Sequence, residues 1–144
     1  MGKVYTTRLW LDKIYRETMD LLEEAKHYHA YKFKRQVRHL VPVKRLEITK
    51  ESLRVTSRLS HTMAWLMAEK AIINEELLRA EFEKSIKPLS EEDTCVQPPD
   101  IPIDDCPNGL ISLMDRSFDL FMRATRLEAM LRNKAQHYNL QPRH

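Results

Sequence analysis

Residues 49–87 carry an uninterrupted helical pattern of apolar residues that is far longer than an ordinary globular helix, with apolar surface on more than one side. At about 100° per residue, Val55, Leu59, Leu66, Ile73 and Leu77 gather on one side. Leu53, Ser57, Ala64, Ala68, Ala71 and Phe82 gather on the opposite side, with Met63 and Met67 bridging the arc. A small core can cover only part of that arc. The pattern therefore predicts a long central helix with a second face left for another surface, and either a kink near Asn74 or a projecting end.

Two further segments share the helical period. From about Thr7 to Tyr31, Leu11, Ile14, Thr18, Leu21, Ala25 and Tyr28 step by threes and fours. From about 108 to 136, Leu113, Leu120, Ala124, Leu127 and Leu131 form a stripe joined by Met114, Phe118 and Phe121. Thr49 to Ser52 offer hydroxyl caps for the middle helix, and Pro88 ends it because proline lacks the amide donor. The expected fold is all-α: a single-domain three-helix bundle with helices over about 7–31, 49–87 and 108–136. A basic turn at 32–48 and a crossover at 88–107, rich in proline and acid, connect them.

Composition excludes whole classes of function. The 144 residues contain two glycines, Gly2 and Gly109, which leaves nothing for a glycine-rich phosphate loop or the repeated tight turns of a β-sandwich. The longest apolar run, Met63 to Ala68, is far below the roughly 20 residues that span a bilayer. No apolar leader opens the chain, so a soluble, cytoplasmic protein is expected. Cys95 and Cys106 form no CxxC pair and are expected as thiols in a reducing compartment. His27 and His29 point to different sides of a helix and have no ligand at zinc spacing, so no metal or other cofactor is expected. No nucleophile elbow or other catalytic motif is present, and the expectation is a protein that is not an enzyme.

Charge is segregated. Residues 26–45 carry seven Lys or Arg and no acid, while the rest of the chain has seventeen bases against twenty-one acids. Within that segment Lys32, Lys34, Arg35 and Arg38 interleave with Tyr28, Tyr31 and Phe33, and Lys44 and Arg45 follow. Such pairing of bases with stacking faces suits single-stranded nucleic acid, and equally a solvated face or an acidic protein.

On the middle helix, Arg54, Arg58, His61, Trp65, Glu69, Ile72 and Glu76 share the polar side. Trp65 among charges reads either as the margin of the core or as an anchor for a partner, because Trp and Arg dominate binding hot spots. The partner-binding candidates are accordingly Arg54, Arg58, Trp65, Glu69 and Ile72. The dimer candidates are Leu53, Ala64, Met67, Ala68 and Ala71, where small residues permit close approach of helices.

Glu51, Ser52, Arg54, Thr56, Arg58, Leu59, Trp65 and Leu66, followed by Lys70, Ala71 and Ile72, resemble the central helix of the RcdA family, regulators of CtrA degradation in alphaproteobacteria. Leu120, Phe121, Arg123, Arg126 and Leu127 are similar to that family's C-terminal helix. The resemblance implies a homodimeric three-helix bundle acting without catalysis in regulated ClpXP proteolysis and the cell cycle. The partners it implies are ClpX with a CpdR-like response regulator, and a PopA-like effector or cargo protein. Where the family often has a glycine, this chain has Ile73, Asn74, Glu75 and Glu76, which predicts a central helix running straight where relatives bend. The alternative is a nucleic-acid-binding helical regulator acting through the segment 26–45.

Overall fold

In a computed structural model describing residues 2–140, the backbone is helical with no strand among the described residues. The elements are α1 (Gly2–Tyr28), a π-helical turn (His29–Phe33), α2 (Lys34–Val37), α3 (Pro42–Ile73), α4 (Arg79–Ser85), α5 (Asp93–Val96) and α6 (Asn108–Leu140). Leu89–Glu91 and Ile103–Asp105 form single 3₁₀ turns in the crossover. Helices α1, α3 and α6 pack around one core, and each of the sequence stripes supplies it. Leu11, Ile14, Thr18, Leu21, Ala25 and Tyr28 are all buried, as are Val55, Leu59 and Leu66 of α3 and Leu113, Leu120, Phe121, Ala124 and Leu127 of α6. Phe82, Leu89, Cys95, Ile101 and Cys106 close it from the connections. Both cysteines are buried thiols, and burial pushes each thiol above its ordinary pKa.

The expected basic turn at 32–48 is almost entirely helix. The first helix does not stop at Tyr31; it widens into the π turn and continues to Val37. Tyr28 packs edge to face on His29 and Phe33 there, with centroids 6.0 Å apart, His29 and Phe33 are tilted against each other at 5.2 Å, and the Ser52 hydroxyl sits 2.6 Å from His29 Nε2. Burial holds the His29 pKa below its usual value. The true turn is residues 38–41. Its return is set by Pro42 at the first positions of α3, where the missing N–H is one that a helix start leaves unpaired anyway. Thr49 and Ser52 are therefore not caps. They lie inside the helix, and Thr49 Oγ1 donates to the Arg45 carbonyl at 2.7 Å.

Nor does the central helix run straight to Lys87. It ends at Ile73, as the kink expected near Asn74 allowed. The Glu75 amide donates to Ile72 O at 3.1 Å and the Glu76 amide to Ala71 O at 2.9 Å, the pairing of a Schellman cap. Such a cap needs a left-handed residue, and Glu75 supplies it at φ 61°. A side chain in that region costs about 1–2 kcal/mol that glycine avoids. Glu75→Gly should therefore raise stability by about 0.5–1 kcal/mol in urea unfolding, the gain being trimmed by the freer unfolded chain. A loss instead would show that Glu75 makes compensating contacts.

The start of α6 is fixed at close range. A Cβ on Gly109 would lie 2.6 Å from Tyr28 Cε2, so α6 can approach α1 here only because this position lacks a side chain. The Tyr28 hydroxyl in turn donates to Gln36 Oε1 at 2.6 Å. The bundle thus has one end made of the residue 38–41 turn and the start of α6. At the other end lie the start of α1, where Asp12 pairs with Lys70 at 3.2 Å, and the break after α3.

Candidate interaction surface

Helix α3 is the element on which the sequence placed most function, and its two sides prove to be opposites. The side carrying Arg54, Arg58, Trp65 and Glu69 faces inward: all four are between 2% and 4% exposed. The crossover holds the two arginines. Arg54 Nη1 donates to both oxygens of buried Glu51, at 3.2 and 3.1 Å, and to Pro98 O at 3.0 Å. Its Nη2 reaches Asp100 Oδ2 at 3.2 Å, while the Asp100 amide donates to Glu51 Oε1 at 3.2 Å. Lys50 and Arg54 together hold the Asp100 carboxyl below the usual carboxylate range.

One turn on, Arg58 donates through Nε to Cys95 O at 2.8 Å, with Met114 O, Ser117 Oγ and Gln97 O at 3.4–3.5 Å. Its guanidinium also stacks over Phe118, 5.2 Å from the ring centroid. Burial, then the neighbouring Arg54, lower its pKa. These two arginines do for the crossover what a sheet would do for a strand: they give acceptors in irregular backbone a buried donor, without which burial of those carbonyls would be costly. Glu69 performs a related task at the other end. It grips Arg79 with two bonds, 3.1 and 2.7 Å, and so fastens α4 to α3 across the break. Glu128 of α6 accepts the Leu89 amide at 2.9 Å, and burial raises its pKa.

The expectation that Arg54, Arg58, Trp65 and Glu69 stand open to a partner is therefore corrected by their burial. Ile72 is half-buried against the core. The sequence signal misled because charge on a helix side usually means solvent, whereas here Arg54 and Arg58 are consumed by the crossover and Glu69 by Arg79 of α4. A hint was available in the segment 88–107, whose prolines leave backbone carbonyls without regular partners.

The opposite side of α3 is open. Leu53 is 62% and Met67 61% exposed, and Ala64 is exposed between them. Ala71 is half-buried on the same line, and half-buried Ala68 borders it and packs on the core. Ser57 and Ser60 lie in the same narrow arc, and Leu46, 73% exposed, extends it toward the turn. The result is a seam of large apolar ends flanking small residues, on a rigid helix. The sequence named five positions of it and missed Leu46 and Ser60.

The basic residues gather as a third surface, at the turn end. Lys32, Lys34, Arg35, Arg38 and Arg45 are exposed and Lys44 is half-buried; among the described residues only Lys44 of these six has an ion pair, with Asp105 at 2.9 Å.

Two constellations look chemical and are not arranged for it. His61 Nδ1 lies 3.9 Å from Cys95 Sγ, and its Nε2 lies 3.4 Å from Glu92. But Nδ1 is 2.8 Å from Ser57 O, which only a protonated Nδ1 satisfies, so that nitrogen cannot take a proton from the thiol. Cys95 is moreover fully buried. The Ser52 and His29 pair is likewise closed, with Ser52 1% exposed inside the bundle. Among the described residues no group of three or more His, Cys, Asp or Glu is placed to hold a metal ion, and no helix is long and apolar enough to cross a membrane.

A protein-family model described as "Protein of unknown function (DUF1465)" matches residues 3–143. No curated protein matches the chain. Among solved structures, the chain is similar to the crystal structure of RcdA from Caulobacter crescentus CB15. The identity is 25%, the TM-score 0.62, and the match covers 82% of this chain and 87% of that one. The fold is thus the one that the resemblance of the central helix implied.

Proposed function

This chain belongs to the DUF1465 family, and from that premise together with its RcdA-like fold we propose that it is a non-catalytic protein–protein adaptor in regulated proteolysis. The observation that carries the reading is the open seam of α3. A helix that buries Glu51, Arg54, Arg58 and Glu69 while exposing Leu53, Ala64 and Met67 inverts, over that stretch, the usual arrangement of a surface helix, and an apolar strip of that kind marks a protein interface. An adaptor needs no chemistry of its own. By holding cargo and protease at once it raises the effective concentration of one near the other.

The seam is the dimer contact in this reading. Leu53 and Met67 insert on either side of the small residues Ser57, Ser60 and Ala64, which let two backbones approach. The partners in this reading are ClpX with a CpdR-like receiver, and a PopA-like effector or the cargo itself. Leu53→Glu combined with Met67→Glu should leave helix content unchanged and turn a dimer into a monomer in sedimentation equilibrium. Wild-type protein that stays monomeric at every concentration would remove the dimer. For the adaptor role, deletion of the gene should lengthen the half-life of a CtrA-type cargo, restored by the wild-type chain and not by the double variant. An unchanged half-life counts against it.

A further inference from the structure

We propose that the turn end of the bundle docks on an anionic lipid surface, with the residue 41–43 tip entering the headgroup region. The tip reads Val41, Pro42, Val43. All three are exposed, the two valines at 63% and 67%, and Tyr31, in the π-helical turn ahead of α2, is 67% exposed. Around them stand Lys32, Lys34, Arg35, Arg38 and Arg45, with no acid between residues 26 and 45. Of the acids that come near, Asp105 pairs with Lys44 at 2.9 Å and Glu24 with Arg116, and Glu47 also acts on Lys44. Lys32, Lys34, Arg35, Arg38 and Arg45 have no ion pair among the described residues, so this end keeps a net positive charge.

An apolar point ringed by bases has a specific complement. Bases alone would suit nucleic acid, but exposed aliphatic side chains gain nothing from phosphates or stacked bases, and the exposed Tyr31 ring already packs on His27 at 4.8 Å. A lipid interface rewards both parts. Anionic headgroups attract the ring of Lys and Arg, and shallow insertion removes the valines from water while Tyr31 sits at headgroup level. The other end of the bundle supplies a contrast within the same molecule. Leu78 and Ile86 are 67% and 48% exposed there, but among Glu75, Glu76, Glu81 and Glu83, which an anionic surface repels. Of these two ends, the turn end is the one that combines exposed aliphatics with the right sign of charge. The surface is separate from the α3 seam, so it stands whether or not the adaptor reading does.

Flotation of the full chain with vesicles tests it, using phosphatidylglycerol mixed into phosphatidylcholine against phosphatidylcholine alone. The protein should float with the anionic vesicles at low salt, not with the neutral ones, and should be released by added salt. Arg35→Glu with Arg38→Glu should lower partitioning by at least about twentyfold, at about fivefold per base. Val41→Ser with Val43→Ser should lower it by about tenfold with every charge kept. Both variants alter exposed side chains, and circular dichroism confirms that they fold. Absence of flotation with anionic vesicles at low salt overturns the proposal. So does binding that the valine variant leaves unchanged, whether to vesicles or to an RNA or DNA oligonucleotide, since it would make the end a bare electrostatic patch.

Discussion

Arg54→Ala should cost the fold about 3–5 kcal/mol, because it strips the partner from a carboxylate that has no access to water. Glu51 is 1% exposed, and with Arg54 gone it keeps only the Asp100 amide and the more distant field of Arg58. The loss has a second part: Pro98 O forfeits its donor, and Asp100 keeps only the solvent-exposed Lys50 at 2.8 Å. The crossover should therefore detach before the bundle melts. Limited proteolysis within residues 96–100 should accelerate in the variant, and the urea midpoint should fall. The ion pair itself is not a large net source of stability, since both charges were desolvated to make it. Replacing both, Glu51→Gln with Arg54→Met, should accordingly recover more than half of what the single variant loses. If Arg54→Ala changes stability by less than about 1 kcal/mol, Glu51 has found water and the strap is looser than its geometry.

Trp65→Ala should be of similar size, about 3–5 kcal/mol, by loss of buried area and the cavity left behind. Sequence allowed either an anchor or a core residue at this position, and 3% exposure in α3 makes it core. The indole Nε1 has no hydrogen-bond partner among the described residues, so its polar atom adds nothing to the packing and carries a small desolvation cost. Trp65→Phe should consequently lose far less, under about 1.5 kcal/mol. Chemical unfolding followed by circular dichroism reads both. Trp10, 42% exposed on α1, remains as a fluorescence control. An alanine variant with wild-type stability and weakened partner capture would restore the anchor reading.

The helices were legible because burial follows a period. Leu11 through Tyr28 and Val55 through Leu66 lie where a 100° step puts them, and a step of three and four residues is a local property. Their ends were less so. Pro42, not Thr49 or Ser52, starts α3, since fixing φ and omitting a donor outweighed a hydroxyl cap. Likewise Glu75 takes the left-handed position that usually calls for glycine, so the break after Ile73 left no residue-type signal. Of the site candidates, Leu53, Ala64 and Met67 lie open as their apolar stripe suggested, and Ala68 and Ala71 sit at its margin. Arg54, Arg58, Trp65 and Glu69 did not, because a charged side looks the same whether water or a crossover loop covers it.

By itself the sequence determined that this chain is all-α, built on three long helices, with positive charge gathered in one segment. Those are consequences of composition and of spacing within each segment. Only the tertiary structure decided which side of α3 faces out. That choice depends on where residues 88–107 return, and so on contacts spanning forty or more positions, such as Arg54 with Pro98 and Arg58 with Met114. Helical period is set by neighbours three and four residues apart, whereas the partner of a buried charge is set by the path of the whole chain.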